Sequence, residues 1–137
     1  MRWAILDTTV YIGHWERGLY EERLAALRKA YVIRHSAVVL SELRRGARTP
    51  KAQRLVEGLY RLAAVRWEPT AEDWWEAGRV IRTVADAQGW DPTKRRDFQN
   101  DALIALTARR QGATVVSANR VDFELLSREL GVSTLLL

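Results

Sequence analysis

The chain has 137 residues, the length of one ordinary domain, and carries 22 Lys and Arg against 17 Asp and Glu, a formal net charge of +5. It contains no cysteine, which excludes disulfides, thiol catalysis and cysteine-ligated zinc, and no apolar stretch approaches the ~20 residues of a membrane span. Arginine dominates the positive side, since Lys29, Lys51 and Lys94 are the only lysines; guanidinium forks pair with phosphate oxygens, so a polyanionic partner is permitted, with a solvated arginine-rich surface as the alternative.

Met1-Arg2-Trp3 leads straight into a strand-like run, 2–6, with no charged leader and cleavage site, so a cytoplasmic protein is expected. Asp7-Thr8-Thr9 ends the run with residues suited to a turn or helix cap. Residues 9–17 and 20–30 read as helical, the second with Leu24, Leu27 and Ala30 on one face. The β-branched run Tyr31-Val32-Ile33 ends near His35, and Ser36 is placed to cap a helix carrying Val39, Leu40 and Leu43 and stopped by Gly46. Pro50 suits the start of a helix with Leu55, Leu59 and Leu62 at helical spacing. Val65-Arg66-Trp67 reads as a short strand. Thr70 and Asp73 form a capping-box start for a long helix ended by Gly89. Residues 90–96 read as a polar, basic loop, 97–111 as a helix closed by Gly112, 114–117 as a strand, 121–130 as a helix and 133–137 as a last strand.

Strands alternating with helices predict a single α/β domain over residues 1–137, with a parallel or mostly parallel sheet covered on both faces. Ligands in such sheets gather at the carboxyl ends of the strands. Four acids sit at edges of the apolar runs: Asp7, Glu42, Asp101 and Asp122. On this topology strand ends and helix starts share one edge, so the four can meet in one pocket. Each alone reads as a turn, cap or solvated residue. Together they would repel one another and raise their own pKa values, a repulsion that Mg²⁺ or Mn²⁺ offsets with oxygen-only ligation. A carboxylate-bound divalent ion in a basic protein suggests phosphodiester hydrolysis on nucleic acid.

The segments Ile5-Leu6-Asp7-Thr8-Thr9, Ser41-Glu42-Leu43-Arg44-Arg45-Gly46, Asn100-Asp101-Ala102-Leu103-Ile104-Ala105 and Ser117-Ala118-Asn119-Arg120-Val121-Asp122-Phe123 resemble, in order and over essentially the full length, those of PIN-domain ribonucleases. The likeness is greatest to the VapC toxin subunit of VapBC-type toxin–antitoxin pairs. The resemblance implies a three-layer α/β/α sandwich and a metal-dependent endoribonuclease that hydrolyses RNA through a metal-activated water, leaving 5′ phosphate and 3′ hydroxyl. It implies Asp7, Glu42 and Asp101 as the Mg²⁺ (or Mn²⁺) ligands, with Asp122 as the fourth catalytic acid. Family members place that acid either where Asn119 or where Asp122 stands, so Asn119 is a supporting residue. Thr9 departs from the Asn or Ser usual there; Thr8 or Thr9 is expected to orient Asp7 or a metal water. The resemblance also implies a cognate antitoxin and self-association into homodimers. Competing readings are a housekeeping RNA-processing nuclease and a non-catalytic RNA- or protein-binding module on the same fold.

Two basic clusters are placed to guide RNA: Arg44 and Arg45 (with Arg48), and Arg95 and Arg96 (with Lys94). Of the tryptophans, Trp67 and Trp75 are expected in the core. Trp90 is the one best placed to stack on a base, with packing as the alternative. Val10, Tyr11, Ile12, Trp15, Leu19 and Tyr20 would line either a groove for an antitoxin segment or the core itself.

Overall fold

In the computed structural model, residues 2–137 are described; Met1, where the N-terminal reading begins, lies outside the described residues. Five short strands form one sheet in the order β3-β2-β1-β4-β5, where β1 is Trp3–Leu6, β2 Val32–Ser36, β3 Arg66–Trp67, β4 Thr114–Ser117 and β5 Thr134–Leu136. Every strand pair is parallel. The apolar runs of β1 and β4 are nearly fully buried, as expected where helices cover both faces of a parallel sheet. From β1 the chain winds outward through β2 to β3, then returns across β1 to place β4 on its other side. The strand order therefore reverses between β1 and β4, the place where a crevice opens at the carboxyl edge.

The seven helices are α1 (Thr8–Arg17), α2 (Glu21–Ala30), α3 (Ala37–Gly46), α4 (Pro50–Leu62), α5 (Ala71–Gln88), α6 (Pro92–Gln111) and α7 (Arg120–Leu130). Their boundaries follow local chemistry. Ser36 Oγ accepts from Val39 N at 3.3 Å, and Thr49 caps α4 with Pro50 in its first turn. Thr70 and Asp73 form a reciprocal capping box on α5. Gly89 and Gly112 end α5 and α6 in the left-handed region, at φ 67° and 69°, where a side chain would be strained.

Three expectations are corrected. Residues 90–96 are not a loop: Asp91 caps α6 by accepting from Lys94 N at 2.8 Å, Pro92 opens the helix, and Lys94, Arg95 and Arg96 lie in its first turns. Asp97, taken as the helix start, is therefore an exposed residue within α6, paired with Arg96. Trp75 is 82% exposed. On α5 the buried positions Asp73, Ala77, Val80 and Val84 share one stripe, and a residue two places from Asp73 points to the opposite side. Trp67 does pack inward, edge-on to Trp3 with ring centroids 5.3 Å apart. Val10 and Tyr11 belong to the core, whereas Ile12 stays exposed.

Candidate active site

Asp7 follows β1 directly, at the strand reversal. Its N–H donates to Val116 O of β4 at 3.0 Å, continuing the ladder for one residue, and it then turns into α1 as the N-cap. Its carboxylate is buried and accepts two short hydroxyl bonds, from Thr9 Oγ1 and from Ser117 Oγ, both 2.6 Å. Each hydroxyl is itself fixed by a backbone donor: Ala118 N to Thr9 and Asn119 N to Ser117. Asp7 is thus locked in orientation by groups that are locked in turn.

The other acids arrive from three helices. Glu42, in the second turn of α3, accepts from Thr8 Oγ1 at 3.0 Å. Thr8 and Thr9 therefore divide their roles, one steadying Glu42 and the other Asp7. Asp101 lies nine residues after Pro92, deeper in α6 than expected. At 1.5 Å per residue the start of α6 stands roughly 13 Å further along the helix axis. Asp122 lies in the first turn of α7, where Asn119 is the N-cap and accepts from Asp122 N at 3.4 Å. Asn119 Nδ2 donates to both Asp101 (3.4 Å) and Asp122 (3.1 Å), bridging the two carboxylates.

The four acids feel one another. Burial holds the Asp101 carboxyl far above its ordinary range, and the charges of Asp7, Asp122 and Glu42 add to that, in this order; Lys94 opposes them, and the result is a pKa of about 8. Asp7 is also raised, by burial first and least by Glu42, while the Ser117 and Thr9 hydroxyls pull it back. Among the described residues, no group of three or more His, Cys, Asp or Glu side chains is already closed into a set that could hold a metal ion. In donor chemistry the acids fit a hard divalent cation, being oxygen-only and anionic. Ligation would need closer approach of side chains that, without an ion, repel.

The basic residues separate into different roles. Arg44 and Arg45 are exposed in the last turn of α3, and Arg44 lines a cavity of about 770 Å³ together with Tyr60, Arg61 and Arg66. Arg95 is committed within the fold, to Asp86 at 2.8 Å and to Trp90 O at 3.0 Å, and Arg96 is exposed beside Asp97. The lysine of that cluster reaches the acids: Lys94 Nζ donates to Asp122 Oδ2 at 2.7 Å. Trp90 is half-buried with its ring edge-on to Phe98, centroids 4.8 Å apart, so packing occupies it. The histidines serve the fold: His14 Nδ1 bonds Leu19 O, and burial, helped by Arg34, lowers the pKa of His35. Sequence reasoning gave no role to Ser117, although a hydroxyl in the last residue of a strand beside Asp7 was a readable signal.

The PIN domain profile matches residues 4–128. No curated protein sequence matches the chain. Among solved structures, the chain superposes on a chain of VapBC2 from Rickettsia felis bound to a DNA fragment from its promoter, with TM-score 0.67, 22% identity and 98% of each chain covered. VapBC-1 from nontypeable Haemophilus influenzae gives TM-score 0.68 at 19% identity, over 98% of this chain and 97% of that one. VapBC-5 from Mycobacterium tuberculosis, of the VapBC family of toxin-antitoxin systems, gives 0.65 at 21% identity with both chains covered in full. At these identities the likeness is one of fold, and the match along the sequence supplies the family: the chain belongs to the PIN domain family.

Proposed function

We propose that the chain is a metal-dependent endoribonuclease, the toxin of a toxin–antitoxin pair. The observation that carries this reading is the convergence of Asp7, Glu42, Asp101 and Asp122 from four elements at the strand reversal, where burial first and then the charges of the other three acids bring the Asp101 pKa to about 8. A protein that only binds polyanions gains nothing from four clustered carboxylates. Asp7, Glu42 and Asp101 are the residues that would hold Mg²⁺ or Mn²⁺. A bound divalent ion supplies acidified water and charge stabilisation on the scissile phosphate.

The chain's own residues prepare that chemistry. Ser117 and Thr9 fix Asp7, Thr8 fixes Glu42, and Asn119 spaces Asp101 from Asp122, so the acids are aimed before substrate arrives. Asp101 carries a proton at neutral pH in the ion-free protein and must release it to act as a ligand. The exposed Arg44 and Arg45, close in sequence to Glu42, supply guanidinium groups for the RNA backbone.

The antitoxin fits the cleft of about 320 Å³ between α1, α2 and α4, where Val10, Tyr11, Trp15, Leu24, Leu55 and Leu59 present an apolar lining. One structural neighbour belongs to the VapBC family of toxin-antitoxin systems, which supports a protein partner here. No helix among the described residues is long and apolar enough to cross a membrane.

The test is incubation of purified protein, freed of co-purifying partners, with labelled structured and unstructured RNAs in Mg²⁺, Mn²⁺ or chelator. Cleavage that depends on the ion supports the reading. RNA retention without cleavage, indifferent to ion, overturns it in favour of a binding module.

A further inference from the structure

Lys94 is held more closely than a surface lysine normally is. Its ammonium donates to Asp122 Oδ2 at 2.7 Å, lies 4.9 Å from the Trp90 ring centroid and 6.0 Å from that of Phe98. Trp90 is itself set edge-on against the fully buried Phe98. A carboxylate and the face of a fixed indole therefore define where the charge sits. Asp122 is correspondingly occupied: the oxygen that takes the ammonium also accepts from Asn119 Nδ2 at 3.1 Å. Among the described residues, Asp7 and Glu42 accept hydrogen bonds from hydroxyl and amide donors and Asp101 from the Asn119 amide, so the ammonium of Lys94 stands at one end of the pocket.

We propose that Lys94 is a built-in cation of the site: its ammonium takes the place of a second divalent ion at the Asp122 end and limits the pocket to one ion, held by Asp7, Glu42 and Asp101. This rests on the metal-nuclease reading above. Two-ion phosphodiesterases set their ions roughly 3.5–4 Å apart. A second ion beside Asp122 would meet the ammonium at contact distance, a repulsion between charges of +2 and +1. With the ammonium absent, Asp122 keeps the Asn119 amide but loses the Lys94 charge, leaving a buried carboxylate beside Asp101, the arrangement that recruits a hard cation.

The experiment is a Mn²⁺ titration by calorimetry, with free Mn²⁺ counted by electron paramagnetic resonance. It uses wild type, Lys94→Met, Lys94→Gln and Lys94→Arg, each checked for folding by circular dichroism. Lys94→Met keeps the apolar stem against Trp90; Lys94→Gln keeps a hydrogen-bond donor without the charge; Lys94→Arg keeps the charge. The expected stoichiometry is one ion per chain for wild type and Lys94→Arg, and two for Lys94→Met and Lys94→Gln. The second site should vanish when Asp122→Asn is added to Lys94→Met. Two ions on wild type, or a count that stays at one in both uncharged variants, overturns the role of Lys94 and leaves the nuclease reading standing. No ion on any folded variant overturns both.

Discussion

Asp101→Asn should stabilise the ion-free protein while disabling it. The substitution is nearly isosteric, and the Asn carbonyl can still accept from Asn119 Nδ2. Its effect on stability is therefore mainly the removal of a charge. The wild-type carboxyl titrates near 3.8 when unfolded and at about 8 in the fold. A raised folded pKa means stability that is fully present below the unfolded value and lost as pH rises through the folded one. At ~1.4 kcal/mol per unit, a rigid site would lose about 6 kcal/mol by pH 8. Rotation of the acids away from one another and entry of water relieve most of this, and about 2 kcal/mol is a reasonable remainder. For a domain of this size ~3–4 °C accompanies each kcal/mol, so the variant should melt about 6 °C above wild type at pH 8 in chelator. At pH 5 the gap should shrink to about 2 °C, because the folded carboxyl is then still protonated and the loss spans only the interval from the unfolded value of 3.8 up to the working pH. Mn²⁺ should raise the wild-type midpoint more than that of the variant, closing the gap from the other side. Thermal melts followed by circular dichroism at both pH values decide the matter. A variant that melts at or below wild type at pH 8, or a gap independent of pH, would refute the electrostatic account of the pocket.

Four further substitutions separate site from scaffold. Ser117→Ala removes a fully buried hydroxyl from Asp7; it should cost about 1–2 kcal/mol in denaturant melts and lower cleavage by about tenfold, whereas an unchanged rate would mean that Ser117 does not orient Asp7. Thr70→Ala breaks the α5 capping box and should cost about 1 kcal/mol with cleavage unaltered, measured by urea unfolding and RNA assay together. Phe98→Ala should cost about 3–5 kcal/mol and Trp75→Ser less than about 0.5 kcal/mol, reversing what aromatic size alone suggests, because Phe98 is fully buried and Trp75 is not.

The parts of the fold that local chemistry dictates were legible in the sequence. Ser36, Thr70, Gly89 and Gly112 mark their helix ends by hydrogen bonding or by φ, and the β1 and β4 runs announce buried strands. The start of α6 was hidden because its first turns are polar and basic. They are exposed or half-buried, so no apolar periodicity marks them, and Asp91-Pro92 was the remaining signal. Trp75 was misplaced because size argues for burial whereas helix phase decides it. At the site, the acids could be picked out because each sits at the end of an apolar run. The Lys94 partner could not: it meets Asp122 across 28 residues, a contact that the early start of α6 creates, whereas Ser117, 110 residues from Asp7, becomes readable once β4 is set beside β1.

The most direct measurement is end-group analysis of the RNA products made by wild type and by Asp7→Asn, each purified free of partner and assayed in Mn²⁺. Hydrolysis by water at the carboxylate pocket predicts 5′ phosphate and 3′ hydroxyl ends, no 2′,3′-cyclic phosphate, and cleavage reduced by at least about 100-fold in a folded Asp7→Asn. Cyclic phosphate ends, or an Asp7→Asn variant as active as wild type, would place the chemistry elsewhere and contradict the carboxylate–metal account.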